Sequence, residues 1–243
     1  MCCFFLTSCQ NTNENFVTDN ITDYFIPLQT GKYITYRLDS TVFVKSGASI
    51  EIHKYQVKHT VQQQIMDNLG NRSYLIHRTI SNETGTGPWV DNGNYWVTPT
   101  ENRIEVIENN LRYVPLRMPL KTGFTWKGNS MMPGSPYKPL FNMDTGSDIN
   151  TWDFVYTSFG DTTVQNNNYK NVWSVSHSNF ILNIPPTANT SIGAKEVSSE
   201  KYAKGIGLVF KDFQLYEYQG PHADNPQPSY NGFGITLWMI DHN

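Results

Sequence analysis

A short stretch of the sequence, GPWVDNGNYWVT over residues 87–98, combines residue types that bind sugars. Trp89, Tyr95 and Trp96 can stack on a sugar ring, and the short polar side chains between them can bond its hydroxyls. Side chains alternate along a strand, so Tyr95 and Trp96 would lie on opposite faces and at least one would belong to the core. We therefore take these three aromatic residues as ligand-binding candidates, with core packing as the alternative.

Three aspartates could support a different chemistry. Asp144, Asp153 and Asp161 could act as acid and base in an envelope hydrolase of polysaccharide or peptide. Glycoside hydrolysis needs two carboxylates at a fixed separation of about 5–10 Å, which the sequence establishes for no pair. The tripeptide Asp144-Thr145-Gly146 also occurs in aspartic proteases, but those enzymes need two copies and this chain has one. No catalytic residue is assigned.

Metal and cofactor motifs are incomplete. His53 and His59 would share a strand face but lie roughly 20 Å apart, and no cysteine follows Cys9. The aspartates after residue 143 lack the bidentate glutamate of a calcium loop. Gly205 and Gly207 precede a strand-like run rather than a helix, so they predict a turn and no dinucleotide site. We expect neither a metal nor a cofactor.

The composition limits the classes of partner that the protein can bind. The chain has 243 residues, of which 38% are hydrophobic and only 16% charged, and its net charge is −3. No cluster of lysine and arginine provides a basic surface, which argues against nucleic acid. No later segment has the ~18 continuous apolar residues of a membrane-spanning helix, so any membrane attachment must lie at the N-terminus.

The N-terminus reads MCCFFLTSCQNTNEN and contains all three cysteines. Leu6-Thr7-Ser8-Cys9 resembles the lipobox of bacterial lipoproteins, which implies cleavage before Cys9 and a diacylglycerol on its sulfur. Residues 1–8 would then be the remnant of a signal peptide and residues 9–23 a lipidated cysteine with a polar tether. The basic region of a signal peptide is missing and the apolar run is short, which we explain by a start codon assigned too far downstream.

The elements that must position these residues are strands. Runs such as YITYRLDSTVFV and SIEIHKYQVKHTVQQQIM alternate and are rich in β-branched and aromatic residues, with turn residues such as Gly47 and Asn109-Asn110 between them. Residues 99–112 are the best helical candidate, although they alternate well enough for a strand. About a dozen such strands predict a mainly β fold over residues 24–243, either an antiparallel β-sandwich or a curved, partly open β-barrel with few or no helices.

Two phrases carry a further resemblance. YFIPLQTGKYITYRLDS near the start and EKYAKGIGLVFKDF near the end resemble motifs of uncharacterised envelope lipoproteins of the Bacteroidetes. The resemblance implies a cell-envelope location, with a lipid anchor in a membrane, the outer membrane being the expected one. We therefore favour a non-enzymatic binding or assembly role, with a glycan, a lipid or an envelope protein as ligand, over the hydrolase.

Overall fold

The computed structural model describes residues 19–223 and 226–243. The predicted signal remnant, lipid-bearing Cys9 and most of the tether therefore lie outside the described residues. No helix in the described ranges has the length and apolar character needed to cross a membrane.

The described chain is almost entirely β-structure. Its strands are β1 (Tyr33–Val44), β2 (Ser49–Met66), β3 (Arg72–Asn82), β4 (Val90–Pro99), β5 (Arg103–Glu108), β6 (Leu111–Arg117), β7 (Thr125–Trp126), β8 (Phe154–Val164), β9 (Asn167–Leu182), β10 (Ile192–Ala203), β11 (Gly207–Gln219) and β12 (Ser229–His242). The helices are a four-residue α1 (Lys138–Phe141) and two short 3-10 helices, Ile21–Tyr24 and Ile149–Thr151. This confirms the predicted mainly β class.

The strands form one antiparallel sheet that curls into a nearly closed barrel. Their order is β6-β5-β4-β3-β2-β1-β12-β11-β10-β9-β8-β7, so β1 pairs with β12 in the middle and β6 and β7 lie at the two edges. The seam between these edges has no continuous strand ladder. It is bridged by single hydrogen bonds, such as Trp126 Nε1 to Val114 O at 2.8 Å and Tyr156 Oη to Arg117 O at 2.9 Å.

Strand alternation places one face of the sheet inside the barrel. On β10, Ser198, Glu200 and Tyr202 are all at least 97% buried, as the period of two along a strand requires. The interior is otherwise lined by large apolar and aromatic side chains, including Tyr36, Ile76 and Leu215. The predicted strand pattern thus holds, but polar residues share the inner face with apolar ones.

Both ends of the barrel are covered. At one end, the plug (residues 19–28) packs beside the β10–β11 turn, where Gly205 N donates to Asp23 O at 2.6 Å and Phe25 stacks on Tyr202. At the other end, the cap (residues 129–151) lies over the opening. Phe141 of the cap stacks on Phe233, with 4.9 Å between the ring centroids.

Turn chemistry follows the sequence closely. Asn109 and Asn110 have φ values of 51° and 63°, and Gly47 has a φ of 87°, which confirms the predicted hairpin turns. Residues 99–112 are not a helix; they run from the end of β4 through β5 to the start of β6. Their alternating apolar residues Ile104 and Val106 are fully buried on the inner face, so packing in the barrel outweighs their helical character.

Candidate ligand-binding cavity

Two adjoining cavities occupy the barrel interior. The lower chamber, about 270 Å³, lies next to the plug and has Phe25, Ile26 and Leu208 in its wall. The upper chamber, about 260 Å³, lies beneath the cap and has Tyr137, Leu140 and Phe233 in its wall. Each is close to the lower limit of about 300 Å³ for small-molecule sites.

A polar partition separates the two chambers. The residues that line both chambers are Glu108, Tyr113, Glu200, Lys211 and Ile235. Three of these carry formal charge, in a barrel whose remaining wall is largely apolar. A buried charge is costly unless it is paired, so the pairing within the partition decides what the chambers can bind.

Glu200 lies at the centre of the partition. Its carboxylate accepts hydrogen bonds from Lys211 Nζ at 2.9 Å and from Tyr202 Oη at 2.5 Å. Burial is the largest influence on the pKa of Glu200 and acts to raise it, but the positive charge of Lys211, the neighbouring His177 and the hydrogen bonds from Tyr202 and Lys211 together hold the pKa below its usual value. The strand register explains the pair, since Glu200 and Lys211 are directly opposite each other on β10 and β11.

His177 borders the same carboxylate from β9. Its Nδ1 is 2.8 Å from Ser198 Oγ, its Nε2 is 3.6 Å from Glu200 Oε2, and its ring stacks on Phe154. Nε2 is buried and has no hydrogen-bond partner within the described residues. Burial lowers the pKa of His177 to about 4, so the ring is neutral at physiological pH.

A second charge pair faces the lower chamber. Arg78 of β3 contacts Glu108 of β5 in a short salt bridge. Beside it, His59 Nδ1 is 3.0 Å from Tyr95 Oη, and burial together with the charge of Arg78 lowers the pKa of His59 to about 3. Both interior histidines are therefore uncharged at physiological pH, and each carboxylate has its own cation.

The balance of charge limits the ligand. Since Arg78 pairs with Glu108 and Lys211 with Glu200, the described residues offer no uncompensated charge to an ionic ligand in either chamber. The apolar walls suit hydrocarbon or aromatic groups, and the tyrosine hydroxyls and histidine nitrogens can bond uncharged polar groups. The arrangement fits an uncharged molecule with both apolar and polar parts.

Among the predicted ligand-binding residues, only Tyr95 reaches these chambers. It lines the lower chamber from β4. Trp89 precedes β4, is 37% exposed and has Lys58 Nζ 5.3 Å from the centre of its ring. Trp96 lies on the other face of β4, beside Leu75 and Ile107 on the neighbouring strands. The three aromatic residues are therefore not brought together.

The predicted acid–base aspartates lie apart on the exposed surface. Asp144 pairs with Lys138 at 2.5 Å, Asp153 pairs with Lys127 at 2.9 Å, and Asp161 accepts a hydrogen bond from Asn171 N. None of the three lines either chamber. Asp144-Thr145-Gly146 belongs to the cap, where Gly146 N donates to Glu196 at 2.7 Å.

Across the described ranges, no three His, Cys, Asp or Glu side chains are grouped as metal ligands.

The sequence pattern does not indicate the partition residues. Glu200 stands in the polar run SSEKYA, where alternation alone leaves either face as the inner one. The predicted turn at Gly205 was the available signal, because a hairpin closed there places Glu200 near Lys211. The one-residue bulge next to Lys201 then sets the two residues opposite each other.

Comparison with known proteins gives similarity in overall structure only. No protein-family model matches the chain, and no curated protein matches it in sequence. One similar crystal structure is of a protein inferred to be exported, with a YmcC-like fold, from Bacteroides fragilis; it has 10% identity and a TM-score of 0.43 and covers 90% of this chain and 99% of its own. Another is of a protein inferred to be a lipoprotein, from Parabacteroides distasonis, with 8% identity, a TM-score of 0.41 and coverage of 90% and 98%.

Proposed function

We propose that this chain is a membrane-anchored envelope lipoprotein with a non-enzymatic binding role, and that it holds a small uncharged amphipathic molecule inside its barrel. The observation that carries the binding role is the pair of adjoining chambers whose shared wall is charge-balanced. The anchor rests on the sequence around Cys9. A lipid or other small amphipathic molecule fits a covered barrel better than a polymer does, because the plug and the cap lie over the two ends.

Binding in the chambers can be tested with a neutral fluorophore, N-phenyl-1-naphthylamine. Ile235 lies in the partition, so Ile235→Trp should fill space in both chambers and lower the affinity for the dye by about tenfold, which is ~1.4 kcal/mol. The matched control is Ile240→Trp, which makes the same change at a 44% exposed position on the same strand. Fluorescence titration of the three proteins measures the effect. Equal loss in both variants, or no binding by the unaltered chain, contradicts the proposal.

The anchor can be tested by intact mass. The protein is expressed with its genuine upstream codons and extracted gently from its own membranes. We expect a mature chain that begins at Cys9 and carries added acyl mass, and a co-purified small molecule would show the ligand class. An unmodified chain that retains Met1 contradicts the anchor and leaves the binding proposal to the dye titration.

The hydrolase alternative has no comparable support. Its three aspartates contact different partners on the outer surface, and both carboxylates that the described residues place in the chambers are paired with cations. Trp89 and Trp96 stay predictions for ligand contact at the surface. Tyr95, which lines the lower chamber, is the predicted residue that the binding proposal uses.

A further inference from the structure

The β2–β3 tip, residues 62–72, extends past the rest of its sheet on one side. The pairing of β2 with β1 begins at Thr60 opposite Tyr33, so among the described strands residues 63–66 pair with β3 alone, and Gln62 is the bulged residue before them. All five of these residues are exposed. At ~3.3 Å per residue, the unpaired edge of β2 extends by roughly 16 Å.

The tip carries three exposed apolar side chains. Ile65 is 39% exposed, Met66 is 59% exposed and Leu69, in the turn itself, is 86% exposed. Hairpin turns normally carry polar residues, since water surrounds them. A leucine held almost fully in solvent has no role in the packing of this barrel.

The turn is built to present Leu69. Asp67 accepts hydrogen bonds from Leu69 N at 2.9 Å and Asn71 N at 2.8 Å, and its carbonyl accepts one from Gly70 N at 3.0 Å. The carboxylate of Asp67, which is the one acidic side chain of the tip, therefore makes its hydrogen bonds within the turn. The remaining charge is that of Arg72, which suits an anionic lipid surface.

The tip lies at the end of the barrel where the described chain begins. The strand directions bring the β2–β3 turn and the β10–β11 turn to the same end, and the plug is fixed to the latter by a salt bridge of 2.5 Å between Asp19 and Lys204. The ten residues from Cys9 to Asp19 span at most about 36 Å when fully extended. A lipid on Cys9 would therefore keep this end close to the membrane.

We infer that the β2–β3 tip contacts the lipid bilayer, with Leu69 and Met66 at the boundary between headgroups and acyl chains. The orientation rests on the proposed anchor at Cys9. The membrane affinity of exposed apolar side chains adds to that of an attached lipid. Contact of the tip with the bilayer would therefore determine the orientation of the anchored barrel relative to the membrane.

The test compares the two ends of the barrel on one membrane. The full chain, with Cys2, Cys3 and Cys9 changed to serine and a hexahistidine tag at its N-terminus, is attached through nickel-chelating lipid to vesicles of phosphatidylcholine and phosphatidylglycerol. An environment-sensitive nitrobenzoxadiazole label is placed at Leu69→Cys or at Leu182→Cys. Leu182 is a matched control because it is 42% exposed, beside Phe180 and Ile181, at the opposite end.

We expect the label at residue 69 to shift to shorter emission wavelength on vesicles and to be quenched by brominated lipid, and the label at residue 182 to show neither effect. Equal responses at both positions, a response at residue 182 alone, or none at either overturns the inference. Because the nickel lipid replaces the natural anchor, this result does not depend on acylation of Cys9, which the intact mass tests separately.

An unlabelled variant gives a second measurement. Leu69→Asn in the same tagged chain without chelating lipid should reduce co-flotation with these vesicles by about tenfold. Leu182→Asn should leave flotation unchanged. Equal flotation of the Leu69→Asn variant and the unaltered chain overturns the inference.

Discussion

At the scale of single residues, the interior depends on how a few buried polar groups are satisfied. Glu200 and Lys211 meet in the partition between the chambers, and His177, from a third strand, borders them. Removing one member of such a group leaves another buried without compensation, which is why these positions bear on stability as well as on binding.

The buried histidines make stability depend on pH. Burial lowers the pKa of His177 to about 4 and that of His59 to about 3, against 6.5 for an ordinary histidine. Below pH 6.5 the unfolded chain binds protons that the folded chain does not, so acid destabilises the fold until the pH passes below the folded pKa. We expect a loss of about 2 kcal/mol per histidine between pH 7 and pH 5.

The variant His177→Phe should remove about half of this loss, since His59 remains. Phenylalanine preserves the stacking on Phe154, so the comparison isolates the proton. Urea denaturation of both proteins at pH 7 and pH 5 measures it. An unchanged pH dependence in the variant would show that His177 does not supply the effect.

Residue types alone gave three candidates for ligand contact, and that contact stays a prediction for all three. Tyr95 was identified from its aromatic neighbours and does line a chamber, whereas Trp89 and Trp96 do not. Glu200 and Lys211 were not identified, because their role depends on the register between two strands and on which face of the sheet is enclosed. Burial of a polar face is decided by the whole barrel and leaves no local pattern.

At the scale of elements, two glycines shape β12. Gly232 is opposite Tyr216 and Gly234 is opposite Gln214. The side chains of Tyr216 and Gln214 therefore lie next to strand positions that have no side chain. A Cβ on Gly232 would lie 2.3 Å from Leu215 O and 2.7 Å from Tyr216 Cα. The backbone of β11 could not yield without losing its ladder with β12.

Gly232→Ala should therefore destabilise the protein by about 3 kcal/mol or more, through both backbone strain and overlap. Gly232 has a φ of 122°. The control is Gly70→Ala, where φ is 79° but nothing lies within 4 Å, and strain alone should cost about 1–2 kcal/mol. Thermal and urea unfolding give the comparison. Equal losses would show that the contact with β11 contributes nothing.

The elements themselves were largely predictable. Hairpin turns at Gly47, Asn109-Asn110 and Gly205 followed from residues that adopt positive φ. The helical candidate at residues 99–112 shows the limit of such patterns, because short apolar runs suit helix and strand alike until the neighbouring strand is present. The cap, which has no regular period, could not be derived from its sequence.

At the scale of the whole molecule, the sequence does not decide whether the sheet closes into a barrel. A sandwich and a partly open barrel have the same strand pattern, and the choice depends on whether β1 meets β12 and on how the edges β6 and β7 approach each other. The seam is joined by side-chain hydrogen bonds from Trp126 and Tyr156, with the plug and the cap over the ends. Enclosure of the chambers is thus a property of the complete chain.

The pairing of β1 with β12 also determines when the barrel can form. Strands β1 to β6 and β7 to β12 are two meanders, in which each strand pairs with the next one along the chain. These two halves join where Tyr33 N donates to Asn243 Oδ1, across 210 positions of sequence. Local hairpins form quickly and distant pairings slowly, so we expect two early meanders and a late docking step, on the order of milliseconds to seconds. The chambers would not exist before that step, and a ligand could stabilise only the docked state.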